Sequence, residues 1–211
     1  MKYQHIIWDW NGTLLNDVWL CVDMMNRVLR ENDLPEITID EYKNVFDFPV
    51  KLYYEKLGFD FSKVSFEKVG TDFIRYYNER HYECELQPGA VGALAELKKT
   101  GVGLSLLSAR EESDLLLELK NREVFHFFDR VSGLNDHYAD GKTENGKKLI
   151  RDLGLKHHEV VFIGDTLHDA EVANSIGADC ILIARGHHTR EKLMKTGVPV
   201  LDSIEQIFSI L

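Results

Sequence analysis

The chain has 211 residues, a net charge of -10, 44% hydrophobic and 28% charged residues. This length suits one domain with an insertion, or two small ones, and is enough to bury a sizeable core. The acidic balance argues against a nucleic-acid backbone or an anionic membrane as partner, while a local site can still oppose that field and take a small phosphorylated molecule.

In chain order, Ile6–Trp8 is an apolar run that reads as a buried strand, with Asp9 at its carboxyl end. From Asn16 to Leu86 no convincing strand is visible. Asp17–Asn32 carries a helical apolar face (Val18, Cys21, Val22, Met25, Val28, Leu29), and Thr38 with Glu41 fits a capping box. Pro49 suits the first turn of a helix reaching Leu57, and Phe66–Tyr82 reads as a third, aromatic-rich helix. Ala90–Thr100 is helical, with Gly101 as its C-cap. Apolar strands then recur at Gly103–Leu107, Arg130–Gly133, Val160–Ile163, Cys180–Ala184 and Val198–Leu201. Helical patterns at Ser113–Asn121, Gly146–Leu153, Ala170–Ile176 and Ile204–Leu211 fall between or after them.

Strands alternating with helices imply an α/β fold, a Rossmann-like doubly wound parallel sheet. Residues 1–15 and 87–211 are expected to form this core, and 16–86 an inserted α-helical cap. An insertion at that point lies over the carboxyl edge of the sheet, which makes it a candidate lid with hinges near Leu15–Asp17 and Leu86–Gly89. Cys21, Cys84 and Cys180 show no disulfide framework or zinc spacing. With no secretory-signal pattern and no membrane-length apolar run, a cytoplasmic location is expected.

In open α/β sheets, ligands bind beyond the carboxyl ends of the strands. Four places fall there: Asp9, Asn11, Gly12 and Thr13 in DWNGTLL; Ser108, closing GLSLLS; Lys142 in the loop ADGKTEN; and Asp165 with Asp169 in VVFIGDTLHD. They supply a nucleophile, hydroxyls, an amine and paired carboxylates. The set resembles the haloacid dehalogenase superfamily, dominated by phosphatases, over nearly the whole chain. DWNGTLL matches the first motif, LLSAR the second, Lys142 the third and GDTLHD the fourth, and QPGAVGALAELKKTG is similar to the return from a helical cap. The layout is phosphoglycolate phosphatase-like.

The resemblance implies that Asp9 attacks phosphorus and forms an aspartyl-phosphate. It implies Mg²⁺ held by Asp9, Asp165 and the backbone carbonyl of Asn11, with Asp169 orienting the metal shell. Ser108 and Lys142 would grip the phosphoryl oxygens, with Lys147 or Lys148 as alternatives to Lys142, and Thr13 would add a hydrogen bond. The implied partner is a small phosphorylated metabolite, and the implied assembly a monomer or homodimer.

Asn11 departs from the pattern. Phosphatases of the superfamily usually have Asp there, which protonates the leaving oxygen and then activates water. Asn transfers no proton, and such acid–base help is worth roughly 10²- to 10⁴-fold. Two other readings follow: a phosphonate hydrolase using a cap lysine such as Lys51 or Lys56 as a Schiff-base amine, or a weakly catalytic phosphate- or metal-binding regulatory protein.

Other residues have plainer readings. Ser108 alone suits the N-cap of a helix over Ala109–Lys120. His157-His158-Glu159 lacks the second histidine of a zinc helix, since Phe162 stands there. His187-His188 is expected to be a solvated loop pair, and His168 is a candidate for lining the site. Gly141-Lys142-Thr143 is not a nucleotide loop, because Asp136 occupies the place of its first glycine. Tyr53, Tyr54, Phe73, Tyr76 and Tyr77 read as packing within the cap.

Overall fold

The structure, a computed structural model, describes residues 2–134 and 141–211. Asp136 and the Ala139–Asp140 part of the ADGKTEN loop lie outside them. Strand β1 spans His5–Trp8. Its side chains alternate between faces, as period-two geometry requires. Ile6 and Trp8 join one apolar cluster, and Ile7 joins Leu107, Phe162 and Val172 in another. A strand buried on both faces reads as an unbroken apolar run, which is why Ile6–Trp8 was legible.

The insert follows: β2 (Leu15–Asn16), α1 (Val18–Glu31), α2 (Ile39–Val45), α3 (Val50–Lys56), α4 (Phe66–Arg80) and β3 (Glu85–Leu86). The Thr38–Glu41 capping box forms as expected. Pro49 occupies the N-cap of α3, one residue before its first turn. The expectation of no strand between Asn16 and Leu86 is corrected. Leu15 pairs with Leu86 and Asn16 with Glu85 in an antiparallel ribbon where the chain enters and leaves the insert. Two residues per strand are too few to carry an alternating pattern.

The remaining elements are α5 (Ala90–Lys99), β4 (Gly103–Glu111), α6 (Glu112–Asn121), β5 (Arg130–Leu134), α7 (Lys142–Leu153), β6 (Val160–Gly164), α8 (Leu167–Ile176), β7 (Asp179–Ile183), α9 (Arg190–Met194) and β8 (Val200–Leu201). A 3-10 helix covers Ile204–Ser209, where an α-helix to Leu211 was expected. The sheet order is β5-β4-β1-β6-β7-β8, and every neighbouring pair is parallel. Thus β1 is central, with β4 on one side and β6 on the other.

Register sets which residues meet at the carboxyl edge of the sheet. Trp8 lies opposite Leu106 on β4 and Ile163 on β6. Asp9 therefore leaves the sheet beside Leu107 and Gly164, and Ser108 and Asp165 come one residue later. Their common edge is the crevice where the chain's connections turn to opposite sides, the usual ligand position in such sheets. No helix among the described residues is long and apolar enough to cross a membrane.

Candidate active site

Three buried carboxylates meet at this edge: oxygens of Asp9, Asp165 and Asp169 all lie within 4.8 Å of one another. Lys142 bridges two of them, its Nζ 2.6 Å from Asp9 Oδ1 and 2.7 Å from Asp169 Oδ1. Lys142 is the first residue of α7, not a loop residue as expected. Lys147 and Lys148 lie on the exposed side of that helix and pair with Glu144 (2.7 Å) and Asp152 (2.9 Å). Of the three lysines, Lys142 alone reaches Asp9 among the described contacts.

The fourth motif folds as a capping box. Thr166 is the N-cap of α8, and Asp169 stands three residues into it. Asp169 Oδ2 accepts from the backbone N–H of Asp165 (3.1 Å), the N–H of Thr166 (2.9 Å) and the Thr166 hydroxyl (2.7 Å). Both oxygens of Asp169 are thus engaged, one by the helix terminus and one by Lys142. Asp169 shapes the Asp165 turn and pins the lysine.

Asp165 is held on both sides. Its Oδ1 accepts from Thr13 Oγ1 at 2.7 Å, and its Oδ2 from the His187 backbone N–H at 2.6 Å. Two glycines make room for it. A Cβ on Gly12, whose φ is +76°, would stand 2.4 Å from Asp165 Oδ2, and one on Gly186 would stand 2.0 Å from it. Thr13 is fully buried, and its hydroxyl lies between Asp165 and Asp9 Oδ2 (3.1 Å). Its hydroxyl proton faces these two carboxylates.

Burial pushes the Asp9 carboxyl up, against the pull of Lys142, and pushes Asp165 up against that of His187. Burial also disfavours charge on Asp169, but Lys142 and the Thr166 hydroxyl hold its pKa down to about 2. For Lys142 burial opposes the charge, and Asp169 and Asp9 outweigh it and raise the pKa. One ammonium among three buried carboxylates leaves an acidic pocket of oxygen donors. That donor set, made of the Asp9, Asp165 and Asp169 carboxylates, fits a hard divalent cation.

Ser108 is buried and lines the cavity. It is not a helix N-cap. Strand β4 continues through it to Glu111, whose carboxylate caps α6 by accepting from Asp114 N–H at 2.9 Å. Ser108 Oγ accepts from the Arg110 N–H at 3.1 Å and keeps its own proton as a donor.

Asn11 is not idle. Its Nδ2 donates to Asp17 Oδ2 at 2.7 Å and to the Tyr77 hydroxyl at 2.8 Å. Asp17 also accepts from the Gly12 N–H (2.8 Å) and the Tyr77 hydroxyl (2.8 Å), and pairs with His187 Nε2 at 3.4 Å. Burial would raise the Asp17 pKa, but His187, Asn11 and Tyr77 hold it down to about 2. Burial would lower that of His187, but Asp17 raises it to about 9. The imidazolium also meets the Tyr42 hydroxyl through Nδ1 at 2.9 Å. His187 and His188 are both buried, which corrects the expectation of a solvated pair. Burial lowers the pKa of His188 to about 4, so its neutral Nδ1 accepts from the Leu167 N–H at 3.0 Å.

Asp17 was missed because it stands at the N-cap of α1, where Asp is common for conformational reasons. Yet its side chain makes no capping bond there. It turns back onto the DWNGT loop instead. A carboxylate at residue 11, itself half-buried, would face the buried Asp17 at hydrogen-bond distance. Asn11→Asp is therefore expected to lose about 2–4 kcal/mol of stability at neutral pH and to recover part of it in acid, where the pair shares a proton. Urea denaturation across pH tests this; unchanged stability at pH 7 would contradict the contact's role.

A cavity of about 850 Å³ opens over these groups. Asp9, Asn11, Ser108, Lys142 and His168 line it on the core side, and α1–α4 with their connections line it on the other. The described aromatics divide: Tyr53, Tyr54, Phe73 and Tyr77 line the cavity, and Tyr76 packs elsewhere, its hydroxyl on Glu31 at 2.7 Å.

A central Asp-bearing strand, a serine one strand over, a lysine and a paired-aspartate turn define the haloacid dehalogenase-like class. The family model for haloacid dehalogenase-like hydrolases matches residues 6–183, and the chain belongs to that family. It is 24% identical over 138 residues to phosphoglycolate phosphatase 1 of Pseudomonas aeruginosa, a match covering 64% of this chain and 50% of that protein. The chain thus spans about half the length of that curated relative. It is 26% identical over 180 residues to the pyrophosphatase PpaX of Bacillus cereus, covering 80% of this chain and 77% of the other. Among solved structures, a haloacid dehalogenase-like hydrolase of Streptococcus pneumoniae superposes with a TM-score of 0.85 at 19% identity, over 99% and 98% of the two chains. That likeness is one of fold.

Proposed function

We propose that this chain is a Mg²⁺-dependent phosphatase acting on a small phosphorylated molecule through a covalent intermediate on Asp9. The observation that carries the reading is the placement of Asp9: it ends the central strand, holds the buried ammonium of Lys142 at 2.6 Å, lies beside Asp165 and opens on the cavity. The names of the two curated relatives, a phosphoglycolate phosphatase and a pyrophosphatase, point the same way.

In this reading residues 16–86 act as a cap. Ser108 and Lys142 hold the phosphoryl oxygens and balance charge that grows on them as the bond to the leaving oxygen breaks. Asp9 attacks phosphorus in line, the leaving oxygen departs as its anion and takes a proton from solvent, and water then cleaves the aspartyl-phosphate. Asp165, Asp9 and the Asn11 carbonyl hold the metal, which when bound neutralises repulsion between an anionic nucleophile and an anionic phosphate. Asn11 gives no proton to the leaving oxygen, so the rate falls steeply as the leaving group becomes more basic. Nitrophenyl and acyl phosphates lead, and alkyl phosphates lag. The phosphonate-hydrolase reading finds no support in the geometry. Lys51 and Lys56 are both exposed, whereas a Schiff-base amine is usually desolvated.

Phosphate release from nitrophenyl phosphate is expected to vanish in EDTA and return with Mg²⁺. Ca²⁺ substitutes poorly, since it prefers more ligands at longer distances. Saturating Mg²⁺ is also expected to raise the melting temperature, as any ligand of the native state does. Release unaffected by exhaustive chelation would remove the metal from the reading.

A further inference from the structure

The cavity wall contributed by the insert is rich in aromatic residues. Phe46, Phe48, Tyr53, Phe66, Phe73 and Tyr77 all face it. Phe48 packs against His168 of the fourth motif with the rings tilted by 32° and 4.6 Å between centroids, so this wall reaches the Asp165–Asp169 turn. At about 850 Å³ the space is far larger than a phosphate with two or three carbons, and lies near the upper end of ordinary small-molecule pockets.

The two arginines of the lining are paired with carboxylates. Arg110 lies 3.2 Å from the buried carboxylate of Glu118 and stacks over the Tyr77 ring. Arg75 pairs with Asp72 at 3.0 Å and approaches Glu79 at 3.7 Å. Lys51 is exposed, with its ammonium 5.7 Å from the Phe61 ring centroid. Glu67 of the insert and Asp114 and Glu171 of the core add negative charge to the lining. A second anionic group on the substrate, such as a carboxylate or another phosphate, meets no buried cation that lacks a carboxylate partner among the described residues. Three polar atoms of lining residues, the Tyr53 hydroxyl, Arg110 Nε and His168 Nε2, are buried with no hydrogen-bond partner among the described residues. Such groups are normally satisfied, so the Tyr53 hydroxyl and His168 Nε2 each offer a bond to a polar substituent of a ligand.

We propose that this cavity selects phosphate monoesters whose alcohol part carries an aromatic ring, and discriminates against small esters with a second negative charge. The inference rests on the phosphatase reading for the position of the phosphate, and it names the substrate class of that same site. Ring stacking on the insert's aromatics supplies affinity, and the phosphoryl group is held at Ser108 and Lys142.

Non-hydrolysable phosphonates test this without turnover. Calorimetry with Mg²⁺ present is expected to show 2-phenylethylphosphonate binding about 30-fold tighter than ethylphosphonate, the factor expected for burying one phenyl ring. 3-Phosphonopropionate, with its carboxylate, is expected to bind no better than ethylphosphonate. Phe48→Leu and Phe73→Leu are expected to cut the aromatic preference several-fold; should either fail to fold, the wild-type comparison stands alone. An aromatic preference of about tenfold or more supports the inference, and a smaller one, or tighter binding of the carboxylate compound, overturns it. Selective aromatic binding without phosphate release from 2-phenylethyl or phenyl phosphate would uphold the inference and sink the phosphatase reading. Absence of all phosphonate binding would overturn both.

Discussion

Asp9→Asn is expected to lower phosphate release by about 10⁵-fold, to background, because the attacking oxygen is replaced by an amide of the same shape. The fold should hold. Lys142 keeps Asp169 at 2.7 Å, and the amide oxygen of the new residue still accepts from the ammonium. Removing one of three crowded carboxylates also relieves the repulsion that, with burial, pushes the Asp9 pKa up. Circular dichroism should therefore be native while turnover is lost. Release at the wild-type rate from Asp9→Asn, in protein free of wild-type contamination, would show that Asp9 is not the nucleophile.

Asp17→Ala is expected to cost about 3–5 kcal/mol of stability, because it strands a buried imidazolium along with the Gly12, Asn11 and Tyr77 donors. For a chain of this size that corresponds to a fall in melting temperature of roughly 10 °C. The pH dependence carries a sign. His187 is raised from 6.5 to about 9 on folding, so its contribution is complete below pH 6.5 and is lost as pH rises through 9. Asp17 is lowered from 3.8 to about 2, so its contribution is complete above pH 3.8 and is lost as pH falls through 2. The pair thus stabilises most between pH 3.8 and 6.5, and Asp17→Ala should remove both slopes. Urea midpoints across pH measure this. A variant whose midpoints track those of the wild type would show that the buried pair contributes nothing.

The central strands were legible because a parallel sheet buried on both faces needs continuous apolar runs, as in Ile6–Trp8 and Val160–Ile163. The capping box at Thr38 was legible because its two partners are three residues apart. The ribbon joining Leu15 to Leu86 was not, since its partners are remote in sequence and its strands hold two residues each. Among the polar groups, Asp9, Ser108, Asp165 and Asp169 could be placed because strand ends locate them. Lys142 was separable from Lys147 and Lys148 only by seeing which side of α7 faces Asp9. Asp17, His187 and Tyr77 come together from three distant segments, and nothing local marks them. Their one signal was an N-cap aspartate beside an apolar helix face, which reads as local capping until its partners are seen. Asn11 was read as a loss of function at one residue. Its contacts make it part of a hub in which the carboxylate is supplied by Asp17 instead.

A phosphoryl group on Asp9 is the most direct test of the proposed chemistry. Asn11 provides no base for the water that cleaves the intermediate, so the second step should be slow and the adduct should accumulate. Mixing enzyme, Mg²⁺ and nitrophenyl phosphate is expected to release about one equivalent of nitrophenolate in a burst, followed by a slower steady rate. Acid quenching within the burst, then digestion and mass spectrometry, should find one added phosphoryl group on the peptide carrying Asp9. That group should be absent in Asp9→Asn. Steady release of phosphate with no burst, and no phosphoryl adduct on Asp9 at any time, would contradict the account.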